Sequence, residues 1–139
     1  FIFDPEVKKG SPYSLRIEPY GARKSTEISF KLHHVPLHSH RLKIWLKTEK
    51  PVEMVVTVKG IELVDSKSQI VKLLRKQEYE SKIPVFSISS DIDQNWKLVE
   101  LDCPYQNEDI EGYNLHINAK GPVVYWIGSI VFEPVWKKN

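Results

Sequence analysis

Cysteine occurs once in this 139-residue chain, at Cys103, so no internal disulfide can form. That excludes the small disulfide-stapled extracellular scaffolds. The fold must rest on a packed core, which a chain of this length can bury. Long apolar runs are also missing. No stretch reaches the about 18 apolar residues that read as a membrane-spanning helix, so no membrane partner is expected. Charge of one sign is lacking too, with 20 basic residues against 18 acidic ones, intermixed, for a net +2. The longest basic clusters, Lys8-Lys9 and Lys137-Lys138, are only pairs, and no nucleic-acid partner is expected. There is no Gly-x-Ser-x-Gly, no phosphate-cradling glycine loop and no His-Glu-x-x-His. No catalytic residue is assigned, and the chain is not expected to be an enzyme. Acids are numerous enough for a glycosidase pair, but so few long loops leave little room for a deep cleft. The chain opens on Phe1 rather than Met, and is expected to be a processed or excised piece of something longer.

What is present points to β structure. Hydrophobic residues make up 41% and charged residues 27%, the balance of an ordinary globular domain, here taken as one domain over 1–139. Short alternating or β-branched runs are separated by turn residues. The expected strands are Ile2-Phe3, Tyr13–Glu18, Glu27–Leu32, Arg41–Lys47, Val52–Lys59, Val85–Ser89, Trp96–Asp102, Tyr113–Ala119 and Val123–Phe132. Lys120-Gly121-Pro122 reads as the turn of a hairpin joining the last two. The polar segment Val64–Lys82 reads as a long excursion between strands. The expected fold class is all-β, a β-sandwich or jelly roll of two antiparallel sheets.

Trp45 is the most informative residue. In Arg41-Leu42-Lys43-Ile44-Trp45-Leu46-Lys47, strict alternation turns Leu42, Ile44 and Leu46 to a core. Lys43 and Trp45 then face away. An indole among lysines on a solvated face suits a sugar, whose C–H face is apolar and whose hydroxyls are polar. A covering loop or sheet would explain it as well. In Tyr113–Ala119 the outward stripe is Asn114, His116 and Asn118, neutral groups that hydrogen-bond without a charge to desolvate. In Trp96–Asp102 the outward set is Trp96, Glu100 and Asp102. Glu100 can accept two hydroxyls, whereas Trp96 starts the strand and also suits a plug at a sandwich end. Tyr125 and Trp126 must point to opposite faces, and Trp136 reads as a packing plug.

Other clusters fall short. His33, His34, His38 and His40 lie close together, and His38 and His40 would share a strand face. No acid follows at the spacing a cupin needs, and no metal site is assigned. Asp91-Ile92-Asp93-Gln94-Asn95 begins like a calcium loop, but Trp96 stands where an EF-hand requires glycine. Asp and Asn are also ordinary turn residues.

Three pieces together resemble the β-jelly-roll carbohydrate-binding modules of the galactose-binding-like superfamily, such as families 4, 16 and 22. They are Gly10–Ile17, Arg41–Lys47, and Tyr113–Ala119 followed by Val124–Phe132. The resemblance implies a non-catalytic module that binds a plant cell-wall polysaccharide (galactan, mannan, xylan or glucan). It implies secretion and a covalently linked glycoside hydrolase domain as partner. It maps sugar stacking to Trp45, hydroxyl recognition to His116 and Asn118, and the acid to Glu100. Lys43, Asn114 and Trp96 complete the candidate set. No cofactor is required. Gly128-Ser129 stands where many relatives carry Asp-Asp, which leaves a structural calcium open. A structural or protein-interaction sandwich of a multidomain extracellular protein is the alternative.

Overall fold

The computed structural model describes residues 2–4, 14–19, 26–62, 83–105 and 110–136. Nine strands follow in chain order: β1 (Ile2–Asp4), β2 (Ser14–Ile17), β3 (Thr26–Leu32), β4 (Ser39–Thr48), β5 (Val52–Glu62), β6 (Val85–Ile92), β7 (Lys97–Cys103), β8 (Ile110–Ala119) and β9 (Tyr125–Val135). No helix occurs among the described residues. The strands form a five-stranded sheet ordered β1-β2-β9-β4-β7 and a four-stranded sheet ordered β3-β8-β5-β6. Every recorded pairing is antiparallel. Crossing between two such sheets is the jelly-roll arrangement, so the expected all-β sandwich is what the chain forms. Each of the nine expected strands is present, most extended by a few residues. The excursion 64–82 and the turn Gly10-Ser11-Pro12 lie outside the described residues.

Alternation puts the core between the sheets. Leu42, Ile44 and Leu46 of β4 face Val56, Val58, Leu115 and Ile117 of β5 and β8 across it, and all are buried. Full burial of one such side chain is worth roughly 1.5–3 kcal/mol. Val99 and Leu101 from β7, with Tyr113 and Tyr125, complete the layer. At the end of β4 the chain leaves one sheet for the other. There the Thr48 hydroxyl reaches the carbonyls of Lys50 (2.7 Å) and Ile92 (3.1 Å). The Thr48 amide donates to the Asp93 carbonyl at 2.8 Å, so both the hydroxyl and the amide of buried Thr48 are paired.

Two local expectations need correction. Lys120-Gly121-Pro122 does not close a hairpin, because β8 pairs with β3 and β5 whereas β9 pairs with β2 and β4. The segment instead carries the chain across the sandwich, with Val123 buried on the way. Trp136 is no packing plug: it is 66% exposed, with His38 meeting its ring edge-on at 4.5 Å between centroids.

β9 also changes face midway. Ile44 pairs with Ile130 and Leu46 with Ile127, so β9 carries one residue more than β4 between these pairs. This bulge falls at Gly128-Ser129 and reverses the alternation. Before it Tyr125 and Ile127 point inward; after it Ile130 and Phe132 pack on the core.

Candidate functional site

The outer face of the five-stranded sheet is built from β9, β4 and β7 side by side. Inward residues on β4 are even-numbered, so Arg41, Lys43, Trp45 and Lys47 project outward. Trp45 is half-buried and pairs across to Leu98 of β7. On its other side lies the β9 bulge at Gly128-Ser129, two positions without bulk. Trp126 pairs with Lys47, which sets it diagonal to Trp45 at the about 7–8 Å typical of such neighbours. The Lys47 ammonium sits 5.5 Å from the Trp126 ring centroid, within range of a cation–π contact. Leu98 and Val131 add exposed apolar surface beside the indoles. Sequence reasoning left all three of Trp126, Leu98 and Val131 out of the site. The inward position of Tyr125 was the signal that could have placed Trp126.

Charges on this face are mostly paired off. Arg41 donates to Asp102 at 2.8 Å, and Lys43 reaches Glu133 at 3.1 Å. The Asp102 carboxylate raises the Arg41 pKa further through its hydrogen bond and charge. Arg16, which pairs with Trp126, holds Glu18. Glu100 lies opposite Lys43 in register. Because Lys43 turns to Glu133, Glu100 has no ion-pair partner among the described residues. Its two oxygens are therefore open to hydroxyl donors. Trp96 is half-buried immediately before β7.

Asn114, His116 and Asn118 are elsewhere. They lie on β8, in the four-stranded sheet, where Tyr113, Leu115 and Ile117 point into the core. Their side chains are on the opposite outer face from Trp45, Lys43 and Glu100. The structure thus divides the expected site in two, since strands that alternate alike can belong to different sheets. On this second face Ser29, His116, Thr57 and Ser87 form one row across four strands. The Ser29 hydroxyl bonds His116 Nδ1 at 2.8 Å, and Thr57 and Ser87 share a bond of 3.1 Å. His116 Nδ1 also lies 3.3 Å from Glu27. Asn118 Oδ1 is buried with no hydrogen-bond partner among the described residues. The Glu53 carboxyl is held below the usual range by the Ser89 hydroxyl and then Lys120.

The histidines do not converge on a metal. The Val35 amide donates to Nε2 of buried His40 at 2.9 Å, and His40 stacks on Phe132, 4.7 Å between centroids and 8° from parallel. His38 Nδ1 bonds the Pro36 carbonyl at 2.9 Å. No group of three or more metal-ligating side chains occurs among the described residues. Asp93 accepts the Asn95 amide at 2.8 Å, an ordinary Asx turn. No helix among the described residues is long and apolar enough to cross a membrane.

No family profile and no curated protein matches the sequence. Solved structures do match the fold. A family 16 carbohydrate-binding module superposes with a TM-score of 0.61 at 12% identity, over 94% of this chain and 83% of the other. The CBM22-1 xylan-binding domain of Paenibacillus barcinonensis Xyn10C gives 0.60 at 13% identity, over 98% and 81%. TmCBM61, solved with β-1,4-galactotriose, gives 0.53 at 14% identity, over 90% and 72%. The chain therefore has the β-jelly-roll fold seen in carbohydrate-binding modules.

Proposed function

We propose that this chain is a non-catalytic carbohydrate-binding module that holds a plant cell-wall polysaccharide on the outer face of its five-stranded sheet. The observation that carries the reading is the diagonal pair Trp45 and Trp126, outward on adjacent strands, beside the carboxylate of Glu100, which has no ion-pair partner among the described residues. The indoles supply apolar area for the C–H faces of sugar rings. Glu100 and Lys43 supply hydrogen bonds that fix orientation. The four-stranded face is the weaker candidate. Its described outward residues include no Trp, Tyr or Phe, so it can bond hydroxyls but offers no flat apolar surface.

The modules that share the fold support the ligand class: one is a xylan-binding domain and another is bound to a galactotriose. Galactan, mannan, xylan and glucan are the polymers to try. On this reading the chain works beside a covalently linked glycoside hydrolase in a secreted enzyme and brings it to its substrate. The test is native affinity electrophoresis against soluble plant polysaccharides, with Trp45→Ala beside the wild type. Retardation by one polymer that the substitution removes is the expected result. Migration of the wild type unchanged in every polymer would overturn the reading.

A further inference from the structure

A second apolar cluster lies at the far end of the same three strands. Ser39 opens β4 and pairs with Val135 near the end of β9, and both project to the outer face that carries Trp45. With Leu37, His38, Tyr105 and Trp136 they line a shallow cavity of about 380 Å³, within the usual range for small-ligand sites. Trp136 is 66% exposed and Leu37 74% exposed. Neither is there to fill the core.

The turn that presents Leu37 is fixed in place. Leu37 has φ of 66°, the left-handed region where a turn ordinarily uses glycine. A bulky residue persists there only where its surroundings impose it, and such positions cluster at binding sites. Here the Val35 amide is tied to buried His40, and the Pro36 carbonyl to His38. The Tyr105 amide donates to the Ser39 hydroxyl at 2.9 Å, which secures the opposite wall. Trp45 lies six residue steps along β4 from Ser39, about 20 Å along the strand.

We infer that this end is a second sugar-contact station, centred on Trp136, and that one polysaccharide chain runs along β4 from the Trp45–Trp126 pair to reach it. The inference rests on the sugar-binding reading above and adds the direction and length of the ligand. Between the stations the face offers the ion pairs of Lys43 with Glu133 and Arg41 with Asp102, a polar stretch. A neutral glycan can cross them by hydrogen bonding alone. A short oligosaccharide would occupy the Trp45 end, and only a longer one would touch both.

The experiment titrates a disaccharide and a hexasaccharide of the polymer that retards the wild type, by calorimetry, into wild type, Trp136→Ala and Leu37→Gly. Leu37→Gly removes the lip side chain while keeping a residue that accepts the turn's backbone, so it controls for misfolding. Both variants are expected to bind the hexasaccharide about 5-fold or more weakly and the disaccharide unchanged. Equal binding of both ligands by both variants would overturn the second station, as would an equal loss on both ligands, which would merge the stations. A wild type that binds no polysaccharide fails the sugar reading itself, and that outcome is read before any variant.

Discussion

Trp126 pairs with Lys47, not with Trp45, so the two outward indoles stand diagonally rather than face to face. The two rings thus occupy separate positions on this face, one on each of two adjacent strands. Substituting either should therefore hurt binding separately. Trp45→Ala and Trp126→Ala are each expected to weaken polysaccharide binding at least about 10-fold, about 1.4 kcal/mol. Both side chains are half-buried on an outer face, so the stability cost should stay near 1 kcal/mol, a fall in Tm of roughly 3–5 °C. Calorimetric titration and a thermal melt of the same samples measure the two effects.

The separation of the two outer faces gives a second prediction. His116 is on the four-stranded sheet, where it bonds Ser29. His116→Ala and Asn118→Ala should leave polysaccharide affinity within about 2-fold of wild type. Glu100→Gln, on the five-stranded sheet, should weaken it about 5-fold by replacing a charged acceptor with a neutral one. Affinity lost in His116→Ala and kept in Glu100→Gln would move the site to the other face.

The strands were legible because each is an alternating run with a buried parity. Leu42, Ile44 and Leu46 are buried as their pattern requires, and Leu115 and Ile117 likewise. Sheet membership was not legible, because alternation says which side of a strand is apolar and not which strand lies beside it. That is why Trp45 and His116 could be read as one site although β4 and β8 lie in different sheets. The hairpin read at Lys120-Gly121-Pro122 failed for the same reason. The bulge at Gly128-Ser129 was hidden too, since reversing parity within β9 depends on its register against β4. Trp136 was misread because a tryptophan near a chain's end looks alike whether it plugs a core or borders a cavity.

Core packing supplies a third prediction. Leu115 is fully buried on β8, in the middle strands of the four-stranded sheet. Leu115→Ala leaves a cavity that such a rigid layer cannot collapse, and should cost about 2–5 kcal/mol. Urea denaturation should show a lower midpoint with an unchanged slope. If the variant stays folded, its polysaccharide affinity should match wild type, because Leu115 touches no outer face.

Cys103 is fully buried on β7, and burial pushes its thiol pKa up to about 12, with the neighbouring Asp102 carboxylate adding to the rise. Since the thiolate is the reactive form, native protein at pH 8 should not react with a thiol reagent such as iodoacetamide over the time a free cysteine takes. One equivalent should react once the chain is unfolded in denaturant. Mass spectrometry of the two samples gives the result directly, and rapid labelling of the native protein would contradict the packing of β7.

His40 should make the fold sensitive to mild acid. Its Nε2 accepts the Val35 amide, so that nitrogen carries no proton and the ring is neutral. Its Nδ1 is buried with no hydrogen bond of standard geometry among the described residues. Burial lowers its pKa, as it does for the nearby His34, while a backbone contact at His38 opposes the shift. The groups around it are His34, His38, the rings of Tyr113 and Phe132, and Cys103 opposite it in register. None is a carboxylate that would favour a charged imidazole. A histidine whose folded pKa lies below its unfolded value of about 6.5 binds fewer protons folded than unfolded in the interval between them. Stability is thus fully present above pH 6.5 and is lost as the pH falls through the folded pKa. Protonation also removes the acceptor that ties down Val35, freeing the turn that holds Leu37. Melts between pH 7.5 and 5 should show Tm falling below pH 6.5. His40→Gln, which keeps an acceptor but does not titrate, should flatten that fall to the part due to His34. An unchanged slope in His40→Gln would show that His40 does not carry the effect.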